Sequence, residues 1–176
     1  MRRVLINGII YLFLLCIGIE IVEGLREEAG VLAQSWNRII GALDQMAALM
    51  NLSGDEMDEL SLQHKRIYPI ASRCGVFAKT DIQPLLNQGA RKEDIAASIY
   101  QAVVNQTIAG LARGRKITGK VLFLGGPLSF CEGLRNRFKE TLKLSDENGI
   151  CPAYARISVA IGAAIYASRL NESFSY

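Results

Sequence analysis

The sequence predicts an α/β fold in which a short buried strand runs through a glycine pair into a helix. Residues 121–124 (Val-Leu-Phe-Leu) form an unbroken apolar run, which is typical of a strand covered on both faces. Gly125 and Gly126 follow directly and allow a sharp turn that leaves the main chain open to a ligand. Apolar residues between Ile39 and Met50 recur at three- and four-residue steps, which indicates an amphipathic helix. Helices packed on a small sheet are therefore expected.

Composition and charge indicate one globular domain. The 176 residues are enough to bury a core, and 50% are hydrophobic while 21% are charged. The net charge of +3 is mild and comes without a basic run, so no nucleic-acid partner is predicted. Cys16, Cys74, Cys131 and Cys151 lie far apart without a CxxC pair, which argues against a zinc site or a disulfide framework. We expect a reduced, cytoplasmic chain.

Residues 4–19 form an apolar run behind the basic start Met1-Arg-Arg and leave two interpretations open. The run resembles the core of a signal peptide, but it is shorter than the roughly 20 residues of a membrane span. Its content of Ile, Val, Tyr and Phe is typical of a buried strand, and acidic residues follow it in place of a clean cleavage site. A buried strand or a leader without a role is favoured, and membrane association through residues 4–19 is the alternative.

Caps and breakers predict the helices that follow. Ser53 and Glu56 have the spacing of a capping box. Thr80 is predicted to cap a helix that tolerates Pro84 in its first turn and ends at Gly89.

Three more helices follow along the chain. A long helix is expected over residues 91–113, with small residues near its end that permit close packing. Ser129 with Glu132 is predicted to cap a helix that reaches residue 142. Residues 157–167 are predicted to form a small-residue helix packed tightly against a strand or beneath a ligand loop.

Two places are candidates for chemistry, each with a structural alternative. The corner at Gly125-Gly126 has the pattern of a nucleotide site, because a helix N-terminus offers N–H groups and a partial positive charge, but it could equally be a tight turn. Cys74 follows Arg73, and a neighbouring cation favours the thiolate that binds metals; a small buried cysteine is the alternative. His64, the only histidine, is predicted to be a solvated surface residue.

From about residue 41 to residue 167 the chain resembles the C-terminal half of a known family. The family comprises the activators (component A) of 2-hydroxyacyl-CoA dehydratases and benzoyl-CoA reductases, which are CoA-substrate-specific enzyme activases. Four stretches carry the resemblance: residues 70–81 to the family's cysteine segment, residues 89–95 with 102–106 to its long helix, residues 121–127 to the adenosine motif of actin-like ATPases, and residues 160–164 to the closing helix.

The resemblance implies one lobe of an actin-like, ribonuclease H-like ATPase fold over residues 37–170, between a leader (1–36) and a tail (171–176). Members are homodimers that use ATP and Mg²⁺ to drive a conformational change. They pass a low-potential electron from a [4Fe-4S] cluster between the subunits to a CoA-substrate dehydratase or reductase. Cys74 matches one of two cluster cysteines in each subunit, and Gly125, Gly126 and Pro127 match the nucleotide-binding segment.

Two departures from the family pattern limit these expectations. Residues 37–44 hold no second cluster cysteine, and neither phosphate-binding segment is recognisable in residues 1–36. Because a nucleotide is held by both lobes, we expect the chain alone to hydrolyse ATP poorly or not at all and to hold a cluster weakly. The alternative is a truncated, non-catalytic α/β interaction or dimerisation module, for which membrane attachment through residues 4–19 is left open.

Overall fold

The computed structural model describes residues 43–71, 75–112, 114, 116–158, 160–162 and 164–165. The leader, the apolar run 4–19, Cys74 and the tail 171–176 lie outside these residues. The described elements, in chain order, are α1 (43–49), α2 (Gly54–Ser61), α3 (Gly75–Asn87), α4 (Lys92–Ala112), β1 (Val121–Leu122), α5 (Gly126–Phe130), α6 (Glu132–Leu142), β2 (Gly149–Ile150) and a 3₁₀ helix (Ala155–Ile157).

The two described strands are parallel and are joined by α5 and α6, which makes a βαβ unit. Val121 donates its N–H to the carbonyl of Asn148 at 2.7 Å, and Phe123 donates to Ile150 at 2.8 Å. The predicted strand over 121–124 is longer than the observed one. Its partner ends at Ile150, two residues before Pro152, which has no N–H to continue a ladder. The α/β class itself is confirmed.

The core is built around α4, which is buried on nearly every side from residue 94 to residue 100. Ala96 and Ala97 are small enough to let neighbouring helices approach closely, and α2, α3 and α6 all pack against α4. The sheet joins this core through Phe123, whose ring lies 6.0 Å from that of Phe138 on α6. The long helix was predicted correctly, but Ala109 and Gly110 are exposed to solvent, so the close packing predicted there is wrong.

The helix ends follow the predictions where the partners are near in sequence. The capping box of α2 is present: Ser53 donates its N–H to a Glu56 carboxylate oxygen at 2.7 Å, and its Oγ accepts the Glu56 N–H at 3.2 Å. This backbone donor lowers the pKa of Glu56. At the end of α3, Gly89 has φ +73° and its N–H bonds to the Leu86 carbonyl at 3.0 Å, as in a glycine C-cap.

The predicted start of α3 is wrong. The helix begins at Gly75, so Thr80 is an interior residue rather than a cap, and Pro84 also lies inside. Asp81, the residue directly after the predicted cap, accepts the Ala71 N–H at 2.7 Å through its carboxylate. The helix was predicted to start too late because the sequence directly before Gly75 gave no recognisable cap signal.

The extended segment between α2 and α3 is held by side chains of α4. Asp94 Oδ1 accepts the N–H groups of Lys65 and Arg66 at 2.7 and 3.1 Å, and Ser98 Oγ accepts that of Tyr68 at 2.7 Å. Burial tends to raise the pKa of Asp94, but the two backbone donors outweigh burial and the pKa lies below its ordinary value. The charged carboxylate is therefore part of the fold.

The last described helical residues follow the 3₁₀ helix and are mostly exposed. Ala155 and Ser158 are buried, whereas Ile157, Ile161 and Ile165 are exposed. Within the predicted range 157–167, the described residues Ala160, Ile161, Ala164 and Ile165 are all exposed, so the tight packing predicted for this helix is wrong beyond Ser158.

The described helices include none whose length and apolar character would let it cross a membrane. The apolar run 4–19 is outside the residues to which that observation applies.

Candidate functional site

The glycine pair forms a sharp corner between β1 and α5. Gly125 has φ +92°, a conformation that favours glycine, and its N–H bonds to the Ala155 carbonyl at 2.9 Å. Gly126 is the first residue of α5, and Pro127 occupies the first turn, where its missing N–H has no helical partner to lose. A Cβ placed on Gly126 would meet no atom within 4 Å. The main chain at Gly126 therefore faces open space.

The predicted capping box of Ser129 and Glu132 is wrong, because Pro127 starts a separate short helix before it. Ser129 lies inside α5, and its hydroxyl donates to the Gly125 carbonyl at 2.6 Å. The start of α6 is capped instead by Asp58 of α2, which accepts the N–H groups of Glu132 at 2.8 Å and Gly133 at 3.0 Å. A carboxylate here also complements the helix dipole.

Asp58 is a residue that sequence reasoning missed. It lies 74 residues from Glu132 and in the middle of a helix, where no short-range spacing marks it as a cap. The contact is close because Gly133 has no side chain: an added Cβ would overlap Ser61 Oγ. Glycine at 133 was the available signal, since a glycine inside a helix often marks a close approach of another element.

A cavity of about 340 Å³ opens beside Gly126, between α1 and α2 on one side and α5 and α6 on the other. Its size lies at the small end of the roughly 300–1,000 Å³ of ligand sites. The walls are largely apolar and include Ala47, Met57, Phe130 and Leu134, while Asp44 and Asp55 add carboxylates. An apolar cleft with open main chain on one wall can hold a flat, partly polar molecule.

Tyr100 and Cys131 line the same cavity as neutral groups. Burial is the main cause that raises the pKa of Tyr100 above its ordinary value, and the neighbouring Cys131 and Asp58 raise it further. Burial, followed by the charge of Asp58, also raises the pKa of the Cys131 thiol. A thiol that stays protonated is a weak nucleophile and a poor metal ligand. The cavity is therefore better suited to binding than to covalent chemistry.

The described residues do not by themselves make an iron–sulfur or other metal centre. No three His, Cys, Asp or Glu side chains among them come together as ligands. Cys151 is exposed, with Sγ 3.9 Å from the Leu128 carbonyl, and His64 is half-buried, with Nδ1 2.7 Å from the Ser61 carbonyl rather than fully solvated as predicted. Cys74 is outside the described residues, and its role as a ligand stays a prediction.

Comparisons with known proteins agree with this architecture. The profile of the BadF/BadG/BcrA/BcrD ATPase family matches residues 16–167. The chain is 31% identical to the (R)-2-hydroxyglutaryl-CoA dehydratase activating ATPase of Acidaminococcus fermentans over 125 residues, which are 71% of this chain and 46% of that protein. It is 27% identical to the 2-hydroxyisocaproyl-CoA dehydratase activator of Clostridioides difficile, covering 71% of this chain and 45% of the relative.

Two solved structures share the fold. Component A of the A. fermentans (R)-2-hydroxyglutaryl-CoA dehydratase superposes with a TM-score of 0.64 and 30% identity, covering 73% of this chain and 48% of that one. The C. difficile activator of 2-hydroxyisocaproyl-CoA dehydratase, solved with bound ADPNP, gives 0.61 at 23% identity over 77% and 51% of the two chains. This second match bears on the fold alone. The predicted actin-like ATPase fold is thus confirmed.

The chain spans about half the length of the curated relatives it matches. The family match covers most of the sequence and contains the βαβ unit, the glycine corner and the helices around the cavity. The chain therefore belongs to the BadF/BadG/BcrA/BcrD ATPase family.

Proposed function

We propose that this chain binds the nucleoside part of ATP or ADP at Gly125, Gly126 and Pro127, as the C-terminal lobe of an activator ATPase. One observation carries the proposal: the cavity beside Gly126 has an open main-chain wall and apolar side walls in a member of an ATPase family. A flat base would be held between Pro127 and Phe130 on one side and the side chains of α1 and α2 on the other.

The described part of the chain suits a nucleoside better than its phosphates. Helix α5 is only five residues long, so its N-terminus offers little to an anion. The first N–H groups of α6 are already bonded to the Asp58 carboxylate. Phosphates and Mg²⁺ would therefore need groups outside the described residues, which agrees with the expectation that the chain alone hydrolyses ATP poorly or not at all.

Nucleotide binding is tested by titrating the full chain and a Gly126→Val variant with ATP in an isothermal calorimeter. The valine Cβ enters open space beside Gly126 where no protein atom lies within 4 Å, so we expect binding to weaken at least tenfold in a chain with an unchanged circular-dichroism spectrum. Gly110→Val is the matched control, because its Cβ also meets no atom within 4 Å and it lies on the exposed end of α4. Equal affinities in the wild type and Gly126→Val would refute the assignment.

The finer proposal concerns what the nucleotide drives. Two relatives are named as an activating ATPase and an activator of CoA-substrate dehydratases. Another, a component of the benzoyl-CoA reductase of Thauera aromatica, is 26% identical over 137 residues. We infer that this chain serves such a dehydratase or reductase as part of a homodimeric activator. A [4Fe-4S] cluster held in part by Cys74 would supply the low-potential electron.

Anaerobic reconstitution of the full chain with iron and sulfide tests the cluster. We expect an iron–sulfur absorbance band that is lost in Cys74→Ala and kept in Cys151→Ala, since Cys151 is exposed and lies outside residues 70–81, the stretch that resembles the family's cysteine segment. A band of equal strength in all three chains would contradict Cys74 as a ligand. A chain that binds neither ATP nor a cluster would point to the non-catalytic interaction module.

A further inference from the structure

The cavity beside Gly126 is apolar where it is buried and acidic where it meets solvent. Met57 and Leu134 line it and are 2% and 0% exposed. Asp44 and Asp55 line the same cavity but are exposed, and we call their side of the cavity the acidic mouth. A molecule that enters would therefore place an apolar part deepest and a polar part at the acidic mouth.

The Asp55 carboxylate lies near the wall that begins at the glycine corner. Asp55 is in the first turn of α2, and Cys131 directly precedes α6. Burial is the main cause that raises the pKa of the Cys131 thiol, and the charge of Asp55 is a smaller contribution in the same direction. Such an influence is strong only between neighbouring groups. The acidic mouth therefore lies beside the open main chain of Gly126.

Both carboxylates of the acidic mouth are available to a ligand. Within the described ranges, neither Asp44 nor Asp55 takes part in a hydrogen bond or an ion pair through its side chain. Asp58 is different, because its two oxygens accept the N–H groups of Glu132 and Gly133. A ligand group at the mouth would therefore meet acceptors that have no protein partner to give up.

The sign of the charge limits what the acidic mouth can bind. A carboxylate only accepts hydrogen bonds, and none of the described lining residues is Lys, Arg or His. A phosphate would be repelled, whereas a hydroxyl group can donate. The ribose of a nucleotide carries two adjacent hydroxyls, and acidic side chains accept hydrogen bonds from ribose hydroxyls in other nucleotide sites. The amine of adenine also donates, but it belongs to the flat base that the apolar part of the cavity suits.

We propose that Asp44 and Asp55 recognise the 2′- and 3′-hydroxyls of ribose and so select ribonucleosides over deoxyribonucleosides. This inference rests on the proposed nucleoside site and names the part of the nucleoside that the mouth holds. The phosphates then extend beyond the described cavity, in agreement with its lack of cationic side chains.

Calorimetric titration of the full chain with adenosine, 2′-deoxyadenosine and 3′-deoxyadenosine tests the proposal. These ligands carry no phosphate, and EDTA in the buffer prevents a metal ion from bridging the carboxylates to a ligand. We expect adenosine to bind at least about fivefold more tightly than either deoxynucleoside, since each lacks one hydrogen bond to a charged acceptor. In Asp44→Ala and in Asp55→Ala, the preference for adenosine over at least one deoxynucleoside should fall below about twofold.

Glu59→Ala is the matched control, because it removes an exposed acidic side chain of α2 that does not line the cavity. It should keep the full preference for adenosine. Damage to the fold would weaken the binding of all three nucleosides alike, so the ratio of affinities separates recognition from structural loss.

Two results would overturn ribose recognition and leave the nucleoside site standing. One is equal affinity of the wild type for the three nucleosides, and the other is an unchanged preference in both aspartate variants. A wild type that binds neither ATP nor any of the three nucleosides would overturn the nucleoside site together with this inference.

Discussion

Removing the Asp58 carboxylate is expected to loosen the joint between α2 and the glycine corner. Asp58→Ala deletes the acceptor of two backbone N–H groups, those of Glu132 at 2.8 Å and Gly133 at 3.0 Å. Loss of a helix cap costs about 0.5–2 kcal/mol, and loss of a negative charge at a helix N-terminus adds about 0.3–1 kcal/mol. We therefore expect the free energy of unfolding to fall by about 2 kcal/mol.

Urea unfolding followed by circular dichroism at 222 nm measures this loss, and a thermal melt should show a Tm lower by roughly 4–8 °C for a chain of this size. Asp58→Asn keeps one acceptor oxygen without the charge, so about half of the loss is expected. Glu59→Ala, the exposed neighbour on the same helix, should stay within about 0.5 kcal/mol of the wild type. Asp58→Ala equal in stability to Glu59→Ala would refute the capping role.

Three further predictions concern the same core. Gly133→Ala should cost about 1–3 kcal/mol in urea unfolding, because its Cβ would overlap Ser61 Oγ, and Ser61→Gly should recover part of that cost in the double mutant. Because the pKa of Asp94 is lowered in the folded chain, its contribution to stability is complete above about pH 4–5 and is lost as the pH falls through the folded-state pKa. The free energy of unfolding, measured from pH 6 to pH 3, should therefore fall less in Asp94→Asn than in the wild type. At pH 8, mass spectrometry should find Cys131 alkylated at least about tenfold more slowly than the exposed Cys151, since burial and Asp58 keep the Cys131 thiol protonated.

Features defined by neighbouring residues could be predicted from the sequence. The Ser53–Glu56 box and the Gly89 helix end depend on partners a few residues away, and the positive φ at Gly125 leaves little choice of residue there. Errors arose where a second local signal competed with the first. Pro127 begins a helix before Ser129 can cap one, and α3 starts before Thr80.

Features that join distant parts of the chain could not be predicted in this way. Asp58 caps a helix 74 residues away, and Asp94 and Ser98 hold a segment about 30 residues before them. The cavity beside Gly126 exists only because α1, α2 and α5 meet there. The small residues between 157 and 167 indicated a tightly packed helix, but such a pattern does not tell whether another element is present to pack against it.

The 74-residue separation between Asp58 and Glu132 also has a consequence for the order of folding. Helices α1 to α4 are consecutive in sequence and can associate as the polypeptide leaves the ribosome, where elongation at about 5–20 residues per second makes residue 132 appear roughly 4–15 s after residue 58. Closing so long a loop costs about 4 kcal/mol of chain entropy. Until α5 and α6 have been synthesised, Ala47 and Met57 on the nascent helices lack the elements that face them in the folded chain. A chaperone that binds exposed apolar side chains would therefore act mainly during this interval.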